Sequence, residues 1–157
     1  VSGTRVVSLG AVPVLPELEA VVEARGERAA RAGVHLRAEG DGSIELAIRP
    51  RMVRVVGQNL AENALRYAGP GATFTLAIER EGDTIVLRGT DDGVGVEEDV
   101  LPRLFERFYR ADRARASRGT GLGLAIVKHV ATQAGGTVDA RGGAGAGLEV
   151  RCVFPAP

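Results

Sequence analysis

The chain has 157 residues, 45% apolar and 25% charged, which suits one ordinary domain able to bury its own core. Lysine plus arginine and aspartate plus glutamate both total 20, so no global field draws the chain to nucleic acid or to an anionic membrane. Cys152 is the only cysteine, which excludes an internal disulfide and a cysteine metal site.

In chain order, Val12 and Val14 read as a short strand closed by Pro16, and Pro16 to about Ala32 reads as one helix with Leu18, Val21, Val22 and Ala29 on its apolar side. Val34 to Ala38 and Ile44 to Ile48 alternate like strands, with Asp41-Gly42 turning between them. A helix is predicted from about Pro50, where proline suits a first turn, to Tyr67, stopped by Gly69-Pro70-Gly71. Thr73 to Glu79 and Thr84 to Arg88 form a hairpin around Gly82-Asp83. Val94 to Arg118 is polar, arginine-rich and only locally helical. A helix over Thr120 to Ala134 ends at Gly135-Gly136, and strands at about Thr137 to Ala140 and Leu148 to Phe154 flank the glycine-rich turn Gly142 to Gly147. Cys152, inside that last alternation, reads as a strand residue rather than a nucleophile. The pattern predicts a mixed, mostly antiparallel sheet with about three helices on one face. No apolar run reaches the ~20 residues that span a bilayer, and no signal peptide is visible. The chain opens at Val1 without methionine, as a portion of a longer protein would.

Three stretches carry chemistry. In Gln58 to Tyr67, Asn59, Asn63 and Arg66 fall within roughly a sixth of the helix circumference, bordering the stripe of Val53, Val56, Leu60 and Ala64. A carboxamide oxygen suits Mg²⁺, a hard cation; the plainer alternative is a solvated face with a Glu62–Arg66 ion pair. In Asp91-Asp92-Gly93-Val94-Gly95, a carboxylate follows a strand and can accept a hydrogen bond from an exocyclic amine, which adenine has and guanine replaces with a keto oxygen. Its glycines permit close backbone approach, and its plain alternative is an acidic turn. Gly119-Thr120-Gly121-Leu122-Gly123-Leu124 opens a helix, where backbone N–H groups favour phosphate. The spacing fits neither a dinucleotide fingerprint nor a P-loop, and the only lysine, Lys128, sits mid-helix.

These stretches resemble the N, G1 and G2 boxes of the GHKL ATPase superfamily. Leu104-Phe105-Glu106-Arg107-Phe108-Tyr109-Arg110 resembles the F box of sensor histidine kinases, and Gly119 to Lys128 with Gly135-Gly136 resembles the end of their catalytic and ATP-binding domain. The resemblance runs from about Val12 to Pro155 and implies an α/β two-layer sandwich of the Bergerat type, a single domain over 1–157, that binds ATP with Mg²⁺. It implies that Asn63 ligates Mg²⁺ with Asn59 close by, that Arg66 faces phosphate, and that Tyr67 packs beside the nucleotide. Asp91 would read the adenine amine, with Gly93, Gly95 and Val96 shaping the pocket. Residues from about 97 to 118 would form a mobile ATP lid hinged on Gly119, Gly121 and Gly123, with Thr120, Leu122 and Leu124 completing the nucleotide contacts. Phe105 and Phe108 would anchor the lid, a role compatible with simple core packing, and Arg110 is read either as a phosphate contact or as a solvated arginine.

ATP-hydrolysing members of the superfamily, such as gyrase B-type subunits and Hsp-type chaperones, place a glutamate four residues before the metal-binding asparagine. Asn59 stands there in this chain and cannot deprotonate water, while Glu62 lies off that face of the helix. The implied chemistry is therefore transfer of the γ-phosphoryl group to a histidine, with negligible steady-state hydrolysis. In the family that histidine sits on a separate upstream dimerisation hairpin, which this chain lacks. His35 in a strand and His129 in a helix read as structural, so the chain is not expected to autophosphorylate alone. The implied partners are that hairpin and a response regulator; the isolated domain is expected to be a monomer, the cytoplasmic part of a membrane-anchored sensor. Three positions depart from the family: Arg49 stands where aspartate is usual, Asp92 replaces a frequent asparagine, and Leu148 replaces a common threonine. Two alternatives stay open, a non-catalytic ATP-sensing module and a serine kinase of the anti-sigma type.

Overall fold

The computed structural model describes residues 10–106, 123–143 and 145–157. Strand β1 (Val12–Pro13) leads into helix α1 (Leu15–Ala24), which has proline in its first turn, and α2 (Gly26–Ala32) follows. The single helix expected from Pro16 to Ala32 is thus two. Arg25 leaves helical geometry at φ −108°, ψ 14°, immediately before Gly26, the residue least costly to release from a helix. The break lets Arg25 and Arg28 both reach Glu62, at 3.1 and 2.5 Å. Gly33, at φ 72°, closes α2 in the left-handed conformation.

Strands β2 (His35–Gly40) and β3 (Glu45–Leu46) follow, then α3 (Pro50–Tyr67), β4 (Thr73–Glu81) and β5 (Thr84–Asp91). A short 3₁₀ turn at Leu101–Arg103, α4 (Gly123–Gln133), β6 (Thr137–Gly142) and β7 (Leu148–Pro155) complete the described chain. β2 and β3 do not pair with each other. β3 pairs antiparallel with β1, while β2 joins the main sheet beside β4, in parallel, with His35 opposite Thr73. The main sheet runs β2-β4-β5-β7-β6, and every other neighbouring pair in it is antiparallel.

The inward residues of the sheet explain the two layers. Phe74, Leu76 and Ile78 of β4, Ile85 and Leu87 of β5, and Val150, Cys152 and Phe154 of β7 recur at every second position, so one face is apolar, while the intervening positions mix polar residues with Ala77, Val86 and Val153. Against that face lie Leu18 and Val21 of α1, Val53, Val56 and Leu60 of α3, and Val127 and Ala131 of α4, all in one core. α3 presents its stripe because its buried positions recur every three or four residues. The opposite sheet face carries ion pairs, Arg88 to Glu79 at 2.5 Å and Arg151 to Glu81 at 2.6 Å. Among the described residues no helix is long and apolar enough to cross a membrane.

Candidate functional site

The site lies where α3 ends, β5 ends and α4 begins. At the β5 terminus Asp91 is the one charged residue buried among those described, with 9% of its surface exposed. Its neighbours across the sheet are Phe74 and Leu148, both apolar and buried. Oδ1 accepts a hydrogen bond from the Gly93 amide at 2.8 Å, and the Leu148 backbone N–H also serves the carboxyl. No cation pairs with it among the described residues. Burial pushes its carboxyl above the ordinary value of 3.8, assisted by the charge of Asp92, and the two backbone donors only partly offset this. A buried carboxylate with no countercharge is unfavourable unless something else supplies donors.

The glycines beside it are packed, not slack. A Cβ on Gly93 would stand 2.2 Å from the Ala68 carbonyl oxygen, just past α3, and the Val94 amide donates to that same oxygen at 3.1 Å. Gly95 adopts φ +68°, and a Cβ there would meet the Gly143 oxygen at 2.1 Å. The Gly145 amide donates to the Val94 carbonyl at 2.7 Å. The loop from Gly93 to Gly95 is thus held between the end of α3 and the β6–β7 turn. Sequence reasoning treats Gly142 to Gly147 only as a turn; its density of glycines is the available signal that two backbones meet there.

On α3, the Asn59 amide group donates to the Val55 carbonyl at 2.7 Å, which fixes its rotamer. Its Oδ1 then faces the start of α4, 3.2 Å from where a Cβ on Gly123 would be. Asn63 is half-buried and its carboxamide makes no hydrogen bond among the described residues. Arg66 is exposed and Tyr67 half-buried. The Glu62–Arg66 ion pair does not form, because Glu62 turns to Arg25 and Arg28. Burial alone would raise the Glu62 carboxyl, but hydrogen bonds and charge from Arg28 and Arg25 outweigh it and hold it below the ordinary value of 4.5. That makes Glu62 a poor proton acceptor.

Val96, Leu101, Leu104 and Phe105 are half-buried against the core. Leu124 is buried on α4. His35 and His129 are both exposed. Phe108, Arg110, Gly119, Thr120, Gly121 and Leu122 lie outside the described residues, as does most of the expected lid. Among the described residues no group of three or more His, Cys, Asp or Glu side chains could hold a metal ion. A metal here would rest on carboxamide and ligand oxygens, a donor set suited to Mg²⁺. Among the described residues, the Asp91 carboxylate without a countercharge and the Asn63 carboxamide without a hydrogen bond are donor and acceptor groups that a ligand could satisfy.

Comparison with known proteins identifies the fold and the family. The histidine kinase BaeS of Escherichia coli is 35% identical over 147 residues, covering 92% of this chain and 31% of that protein. The sensor-like histidine kinase SenX3 of Mycobacterium tuberculosis is 34% identical over 127 residues, 80% of this chain and 31% of its own length. This chain therefore spans about a third of these relatives. Among solved structures, full-length ShkA in complex with AMPPNP superimposes with a TM-score of 0.79 at 27% identity, over 94% of this chain and 31% of that one. The mycobacterial sensor histidine kinase MprB gives the same TM-score, 0.79, at 24% identity, over 94% of this chain and 98% of that one, a likeness of fold. The family model for histidine kinase-, DNA gyrase B- and HSP90-like ATPases matches residues 48–157, from the start of α3 through β7, and the chain belongs to that family.

Proposed function

We propose that this chain is the ATP-binding catalytic domain of a sensor histidine kinase, which presents the γ-phosphoryl group of Mg-ATP to a histidine on a separate dimerisation hairpin for relay to a response regulator. The observation that carries the reading is the buried Asp91 carboxylate, which has backbone donors but no countercharge among the described residues. An exocyclic amine at the purine 6-position supplies a further donor, and adenine has one there where guanine has a keto oxygen. Asn63, with Asn59 beside it, would hold Mg²⁺, and Arg66 would lie toward the phosphates. Tyr67 and Val96 would flank the nucleotide. The stretch from about 97 to 118, with Phe105 packed against the core, would be the lid.

Mg-ATP, when bound, supplies the transferable phosphoryl group and the metal charge that neutralises it. The chain's own residues bind and orient, chemistry that asks little covalent help of the protein. Nothing on the α3 face is suited to activating water: Asn59 has no basic group, and Glu62 is tied to two arginines. The domain would act as a single unit in a cytoplasmic portion of a membrane-anchored sensor, with the acceptor histidine supplied from outside it.

The test is phosphotransfer from γ-labelled ATP. Label should appear on the parent's histidine-bearing hairpin when that hairpin is added, and not on this chain alone. Steady hydrolysis near about one turnover per second, a typical enzymatic rate, or label on His35 or His129, would contradict the reading.

A further inference from the structure

The loop that presents Asp91 is tied down by the next residue, Asp92. Asp92 is exposed, yet its Oδ1 accepts a hydrogen bond from the Thr73 amide at 2.7 Å, and its own amide donates to the Thr73 carbonyl at 3.3 Å. The two bonds extend the β4–β5 ladder one residue beyond the Phe74–Asp91 pair. They hold the Asp91–Asp92 peptide and the Asp92 side chain, and so constrain the residue that leads directly into the Gly93 N–H, the donor that orients the Asp91 carboxylate. On its far side Gly93 is pressed against the Ala68 carbonyl, so the loop is held from both directions.

We propose that Asp92 is a positioning residue for base recognition, acting through the Gly93 amide to aim the Asp91 carboxylate, and that it does so as a hydrogen-bond acceptor and not as a charge. The proposal rests on Asp91 being the base reader. It makes a distinction that simple loss of stability would not. A misaimed Asp91 weakens discrimination between an amine and a keto oxygen at the purine 6-position, whereas general loosening weakens every nucleotide alike.

The experiment measures binding of Mg-ATP and Mg-ITP, which differ at that position, to the wild-type chain and to variants. D91N should collapse the ATP-over-ITP preference. D92A should reduce it about tenfold, the effect of one well-placed hydrogen bond, while affinity for ITP changes little. D92N, which keeps the acceptor oxygen, should restore the wild-type ratio. T73P removes the donor from the other side of the same bond, at a strand's first residue where proline is tolerated; it should match D92A and serves if D92A folds poorly. A wild-type ratio in both D92A and T73P, or a D92N variant as impaired as D92A, overturns the proposal while leaving Asp91 as the reader. A D91N variant that keeps the ATP preference removes the adenine reading itself, and this proposal with it.

Discussion

Asp91 and Glu62 are both carboxyls at least partly withdrawn from water, and their surroundings push them in opposite directions. Asp91 has a raised pKa because it is desolvated, so its ionised form costs stability as pH rises from the ordinary 3.8 through its folded value. Asp91→Asn should therefore stabilise the unliganded domain at neutral pH by up to about 1 kcal/mol while lowering ATP affinity at least about tenfold. Thermal unfolding and calorimetry on the same sample check both halves. Glu62 is the reverse case, held low by Arg28 and Arg25 against the burial that would raise it. Its contribution is present above 4.5 and is lost as pH falls through its lower folded value. Glu62→Gln should cost about 1 kcal/mol at neutral pH and progressively less as pH falls below the ordinary carboxylate value, read by urea denaturation across that range. The placement of Asn59 and Asn63 on one helix and of Asp91 after a strand was legible from local pattern. The partners of Glu62 and the Asp92–Thr73 bond were not, because each joins residues far apart in sequence.

At the scale of elements, α3 and the β4–β5 hairpin were readable because their signals are local: a proline start, a 3.6-residue apolar stripe, and a Gly-Asp turn between alternating runs. The break at Arg25 escaped because a lone glycine inside a helical pattern is ordinarily tolerated. The partners of β2 and β3 escaped because alternation marks a strand but not its neighbour, and β2 pairs in parallel across the whole of α3. Within α3, Gly57 is buried, and a Cβ there would meet Leu18 and Val21 side chains at 3.4 Å, an ordinary contact distance. The helix gains up to about 1 kcal/mol from alanine over glycine. Gly57→Ala should therefore leave stability unchanged or raise it by up to that amount, as urea titration would show; a loss would mean that α1 and α3 cannot yield the space.

For the whole molecule, one layer of helices on one face of a mixed sheet leaves Cys152 at the centre of the core, fully buried. Burial, with a smaller push from Asp139, raises its thiol to about 12. It should stay silent to thiol reagents at pH about 8 until the domain unfolds, so its labelling rate in increasing urea reports global opening. The same architecture brings α3, the end of β5 and the start of α4 together, and the proposed function rests on one property proposed for that site: recognition of adenine together with magnesium. Calorimetric titration with ATP and with GTP, each with and without Mg²⁺, tests it most directly. Binding that prefers ATP and tightens with Mg²⁺ is the expected result. Binding that is absent, or equal for the two bases, would contradict the account.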